Sequence, residues 1–419
     1  MAAAVFVYLL FLAYNTYVGY INREEVFVGA NISFEYQENS GANFFIDGDN
    51  IFFSTKDGIQ YINGKGEAIW KEVFILSYPI MVGDGNCVLV TEERGNTMYV
   101  YNPGGKLYEA ALPGPIISAS LNSNGYASAI VEDGSGYRIM VYDNTGKNVR
   151  VVESYTYNVF PISTDISNDN KILAISYYDI SSLEPGSRIS YFNMGRFDAQ
   201  PQPANDNTAN SGRVEKNQMI PIIKFMNGNT LAAISDKAFI LFKIGEGLVS
   251  TEISRVPLKN EISQAYFADG GNITLATGKP ILNEDSEQEG IVRAYNLNGG
   301  VVFETSTGAD VTYLSAGFNS VIIGNGYVFT AYTNEGKLLW QHHALQPVNQ
   351  LLFYKDTKTI LEAGSIGANV LKLSKVGPEG STQEGIATSP APSASPSGQT
   401  DSPPAETTEA TAGPSAEQP

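Results

Sequence analysis

Short runs of alternating apolar and polar residues, each closed by a turn rich in Asp, Asn and Gly, fill most of this chain. In the first such unit, Phe44-Phe45-Ile46, Ile51 to Thr55, Ile59 to Ile62 and Ala68-Ile69-Trp70 are separated by Asp47-Gly48-Asp49-Asn50, by Asp57-Gly58 and by a turn ending at Gly66. Strand side chains alternate between two faces, so a period of two broken by Asx-Gly pairs predicts antiparallel hairpins. The same order recurs around the turns Gly83-Asp84-Gly85-Asn86 and Asn122-Ser123-Asn124-Gly125. An aromatic or apolar residue, a short turn and a glycine mark each repeat: Tyr61 to Gly66, Tyr101 to Gly105, Tyr142 to Gly146, Tyr191 to Gly195, Leu241 to Gly245, Tyr295 to Gly299, Tyr332 to Gly336 and, more weakly, Leu373 to Gly377. A period of about forty residues built from short strands predicts an all-β fold, a β-propeller of four-stranded blades. The count of repeats gives eight blades, or seven if the last repeat only completes the first.

That last repeat has Val348 to Tyr354, Thr359 to Ala363 and Asn369 to Leu373 but no fourth strand, while Asn31 to Tyr36 alternates alone ahead of the first unit. The early strand is expected to complete the last blade, which leaves no open sheet edge. Ahead of it, Met1 to Asn22 carries no charge, Ala2 to Ala13 is almost wholly apolar, and Arg23-Glu24-Glu25 ends the run. An uncharged stretch of about 20 residues with Tyr14, Tyr17 and Tyr20 near its end reads as a transmembrane signal anchor over 1–22. A cleaved signal peptide competes, against the lack of a small-x-small site before Arg23. No basic residue precedes the run, which points to a start lying upstream. A connector is expected over 23–30 and the propeller over 31–376, outside the cytoplasm on a single-pass membrane protein. From Gly377 the chain holds Pro, Ser, Thr, Ala, Gly and acidic residues with no Lys, Arg or aromatic, so 377–419 is expected to be a disordered spacer.

Composition adds limits. The 419 residues are 43% hydrophobic with 41 Gly and 24 Tyr, which suits twisted strands and tight turns. A formal net charge of −18 repels phosphate backbones, so nucleic acid is not expected as a partner. The single cysteine, Cys87, lies in the apolar run Cys87 to Thr91 and reads as a core residue. The two histidines, His342 and His343, are adjacent and in a strand point to opposite faces, so they cannot readily share a metal. No phosphate-binding loop, zinc-protease helix or nucleophile elbow is present. Asp47, Asp49, Asp84, Asp143 and Asp169 all sit in turns, where an Asx side chain bonds the local backbone. No catalytic residue, metal or cofactor is assigned.

Two later units carry insertions, Phe197 to Gln218, rich in Pro and Asn, and the acidic Leu282 to Gly290. Loops of a propeller commonly bind, so these are expected to form the rim of one binding face, with Phe197, Asp198, Asn205 and Asp206 from the first and Glu284, Asp285 and Glu287 from the second. Trp70 and Trp340 each follow a repeat glycine by four residues (GEAIW, GKLLW) and resemble the tryptophan-docking repeats of quinoprotein-like propellers. The stretches Ile166 to Ile180, Arg188 to Gly195 and Ile220 to Phe242, behind a single span, resemble an uncharacterised family of membrane-anchored, WD40- and quinoprotein-like propellers from Gram-positive, largely clostridial bacteria. The resemblance implies the topology and no catalytic residue. The function expected is a non-catalytic, extracytoplasmic binding or scaffolding propeller that engages a protein or cell-envelope component. The alternative is an enzyme on envelope glycans or a quinone-dependent oxidoreductase, whose mark would be carboxylates or Arg converging on the axis.

Overall fold

The structure is a computed structural model that describes residues 24–134, 136–154, 157–194, 211–268, 271–280, 290–308 and 310–376. The propeller is held within Glu25–Lys375. The expected span, 1–22, and the expected tail, 377–419, lie outside the described residues.

Eight four-stranded antiparallel sheets make up the propeller. Blade 1 is Asn43–Asp47, Asn50–Thr55, Gly58–Ile62 and Ala68–Val73, strand for strand the unit that the pattern predicts. Blades 2 to 7 follow over 79–111, 116–154, 159–216, 222–257, 260–306 and 313–343. Blade 8 takes Gln350–Tyr354, Asp356–Ala363 and Gly367–Val376 from the end of the described chain and its fourth strand, Glu24–Glu35, from the start. Tyr36 N–H donates to Ile366 O, and the Tyr36 hydroxyl lies 2.9 Å from both Gly364 O and Gly367 O. The closing strand was therefore correctly placed, and it is longer than the pattern suggests. Residues 24–30, expected mostly as connector, are strand, because Phe27 inserts edge-on against Trp340 and His342 at 5.0 and 5.1 Å.

Alternation explains how the blades hold each other. In Asn50–Thr55, Ile51 and Phe53 face blade 8 while Phe52 faces blade 2. Each blade so divides its side chains between two neighbours, and eight buried clusters result, one per interface. Trp70 and Trp340 do dock between blades, with their indole N–H groups donating to Pro103 O and Thr357 O of the next blade at 2.9 and 2.7 Å.

The repeated glycine has a backbone reason. In the third turn of blades 1, 3, 6 and 7 the N–H of Gly66, Gly146, Gly299 or Gly336 donates to the carbonyl three residues earlier, and φ is 85, 81, 79 and 84°. That left-handed conformation closes the turn into a bulged hairpin, and only glycine adopts it without a side-chain clash.

Candidate functional site

A meander of four strands puts its connections at two opposite ends. The turns between strands one and two and between three and four share one end of every blade, called here the upper face. The turns between strands two and three, and the links from blade to blade, share the lower face. Glu25 and Lys375, where the chain enters and leaves the propeller, both belong to the upper end of blade 8, 3.9 Å apart.

Near the upper face three charged side chains meet close to the axis. Lys224, from the first strand of blade 5, extends its Nζ to Asp84 of blade 2 at 2.8 Å, to Leu121 O of blade 3 at 3.3 Å and to Asp165 of blade 4 at 3.6 Å. Asp165 is 1% exposed and accepts from the Phe225 N–H at 2.6 Å, while its Oδ1 has no hydrogen-bond partner. Burial raises its carboxyl above the ordinary 3.8, against the opposing pull of Lys224 and the Phe225 amide. Around this ion pair Asn122 Nδ2 donates to Ser167 O and Asn170 Oδ1, which ties the turns of blades 3 and 4. The space beside Lys224, next to Asn168 and Phe267, has room for no more than a water molecule. The cluster is a polar plug that couples four blades.

Asp84 thus departs from the turn role expected of it. Its carboxylate turns inward and reaches Lys224, because a buried acid is tolerated only beside a cation. Asp143 and Asp169 take the expected turn role, accepting from the backbone N–H groups of Thr145 and Lys171, whereas Asp47 instead accepts from the Tyr61 hydroxyl at 2.6 Å. Among the described residues no group of three His, Cys, Asp or Glu side chains is placed to hold a metal. Cys87 is buried, with its thiol pushed up to about 11 by desolvation. His342 meets Glu362 at 2.5 Å across blades 7 and 8.

The lower face differs in kind. At the start of the first strand in four successive blades an apolar side chain is exposed at the channel mouth: Ile80, Ile117, Phe160 and Ile222. Outside them, on links and turns of the same face, Ile75 is 89% exposed, Tyr78 69%, Tyr157 87% and Leu183 103%. At the upper ends of the blades the exposed large apolar residues among those described include Val249 and Phe318 in turns and Ile69, Val301 and Leu338 at the starts of fourth strands, a set that leaves the axial first strands unexposed there. A side chain such as Leu183 gains nothing from its neighbours in Ser181 to Gly186, so its position answers to no internal packing.

The seven residues expected to form a common rim, Phe197, Asp198, Asn205, Asp206, Glu284, Asp285 and Glu287, lie outside the described residues. The strands that flank them do place the two insertions. Residues 195–210 join strands three and four of blade 4 at the upper face, and 281–289 join strands two and three of blade 6 at the lower face. The strand ends that flank the two insertions lie at opposite ends of the propeller.

A sequence profile described as "Family of unknown function (DUF5711)" matches residues 23–368. No curated protein matches the chain. Among solved structures it is similar to Sqt1 from Chaetomium thermophilum, with 10% identity over 84% of this chain and 100% of that one and a TM-score of 0.51. BamB from Moraxella catarrhalis has 11% identity over 83% and 100%, with a TM-score of 0.49. At these identities the likeness is one of fold.

Proposed function

The chain belongs to the DUF5711 family of unknown function, and from that premise we propose that it is a non-catalytic binding or scaffolding propeller that engages a protein through its lower face. We place it outside the cytoplasm, tethered to the membrane by residues 1–22, on the strength of that uncharged apolar run. Among the described residues no helix is long and apolar enough to cross a membrane.

One observation carries the binding reading, the gathering of exposed Ile, Leu, Tyr and Phe onto one of two faces. Scattered apolar residues on a surface need no explanation, but a set gathered at one end of successive blades marks an interaction surface. The axial carboxylates lend the enzyme alternative no support, since Lys224 engages both and leaves no room beside them for a glycan or a flat cofactor. Cross-linking of the full chain in its native cells, followed by identification of captured proteins, tests this. The variant Ile75→Ser/Tyr157→Ser/Leu183→Ser is expected to fold normally and to lose the principal partner. Retention of every partner by that variant would refute the lower-face reading.

A further inference from the structure

Which partner chemistry the lower face fits follows from what surrounds its apolar residues. The blade 2 and blade 3 side of the channel mouth, around Ile80 and Ile117, is bordered by Glu92, Glu93, Glu132, Asp133 and Glu153. Two guanidinium groups lie among these five carboxylates: Arg94, 3.2 Å from Glu132, and Arg138, 2.9 Å from Asp133 and 3.6 Å from Glu153. Glu92 spends one oxygen on the Ser77 N–H, and Glu93 is exposed at the tip of its turn. Lys56 stands on the blade 1 side, 5.9 Å from the centre of the Tyr78 ring, and Lys216 pairs with Glu184 beside Leu183 at 2.8 Å. On blades 2 and 3 the five carboxylates still outnumber the two guanidinium groups, and the chain as a whole carries −18. An apolar centre with a charged border selects a partner of the same plan and opposite sign.

We propose that the occupant of this face is a protein segment with an apolar ridge flanked by Lys and Arg, seated over the channel mouth of blades 2 to 5. The inference rests on the lower-face binding reading and adds the sign and shape of the partner to it. The ridge covers Ile80, Ile117, Phe160 and Ile222, with Ile75, Tyr157 and Leu183 closing on its sides. The basic flanks meet Glu93 and the Glu132 border, which speeds encounter and rejects acidic competitors. An anionic bilayer is the wrong occupant, because the acidic border repels its headgroups.

The test uses the purified full chain and three probes: a Leu/Lys amphipathic peptide, a Leu/Glu peptide of equal length, and phosphatidylglycerol vesicles. The Leu/Lys peptide is expected to bind in fluorescence anisotropy, and the other two to fail. Affinity is expected to fall about tenfold or more in Ile75→Ser/Tyr157→Ser/Leu183→Ser. It is expected to fall by a similar factor in Glu93→Lys/Glu132→Gln and on raising the salt. Equal binding of the Leu/Lys peptide by either variant and the wild type overturns the proposal, as does binding of the Leu/Glu peptide or the vesicles at comparable strength. If the cellular partner is lost from the serine variant while the peptide series shows no preference, the partner chemistry is wrong and the face is right. If the partner is retained, the face itself is wrong.

Discussion

Asp165 is the residue whose environment departs furthest from what water would give it. Its carboxyl is buried, one oxygen has no hydrogen bond, and its cation lies 3.6 Å away. Burial outweighs the opposing pull of Lys224 and the Phe225 amide, so the carboxyl lies above its ordinary 3.8 in the folded chain. The sign follows from linkage: an acid whose folded value lies above its unfolded value favours the fold fully below the ordinary 3.8 and withdraws that support as pH rises through the raised value. Asp165→Asn keeps the shape and removes the titration. In urea midpoints measured from below pH 3.8 upward, the variant is expected to gain on the wild type as pH increases. A difference that stays constant or runs the other way would show that Lys224 holds Asp165 ionised. The signal for this cluster was present in the sequence, where Lys224 interrupts Ile222-Ile223-Lys224-Phe225 and Asp165 stands beside Ile166. A charge inside a run that otherwise reads as buried strand asks for a buried counter-ion. Period and turn chemistry alone gave no partner, since Asp84, Asp165 and Lys224 come from three different blades.

At the scale of the element, the fourth strand of blade 8 carries the closure of the ring. Phe34 is buried between Phe44 and Phe53, with ring centroids at 5.5 and 5.6 Å, so one side chain of Glu24–Glu35 joins the last blade to the first. Phe34→Ala is expected to cost about 3–5 kcal/mol, the usual loss for emptying an aromatic site in a core, measured by denaturant unfolding. Deleting 24–36 is expected to abolish cooperative melting altogether, because blade 8 then shows both a bare strand and half of an apolar cluster to water. A loss under about 1 kcal/mol for Phe34→Ala would mean that the ring tolerates an open blade. The strand could be read in advance because alternation over Asn31 to Tyr36 is a local signal and the missing eighth fourth strand is a count. Its first seven residues could not, since Phe27 is explained only by Trp340 and His342, more than three hundred residues away in sequence. Turns followed the same rule. Wherever a turn is closed by its own Asx side chain and glycine, as at Asn63 to Gly66, sequence located it to the residue.

For the whole molecule, the consequence of an even number of strands per blade is that function-bearing ends sort onto two faces. Loop length is visible in the sequence, whereas the end of the blade from which a loop springs is not. That end follows from the position of the loop within its blade, third to fourth strand for 195–210 and second to third for 281–289. The apolar residues of the lower face were hidden for a related reason: Ile80 and Ile222 look like ordinary strand residues until the pairing shows them beyond the core. Leu183, alone among Ser, Glu, Pro and Gly in Ser181 to Gly186, was the readable exception. The same sorting makes a prediction about attachment. Glu25 and Lys375 both stand at the upper end of blade 8, on the face opposite the apolar set. The chain immobilised through an added tag at either terminus is expected to capture its partner equally well. The chain immobilised through a cysteine introduced by Leu183→Cys is expected to capture none, because the support then covers the lower face. Cys87 does not compete for the coupling chemistry, as its thiol is buried and pushed up to about 11. Capture that survives coupling through position 183 and fails through the termini would move the binding surface to the upper face, beside the Asp84, Asp165 and Lys224 plug.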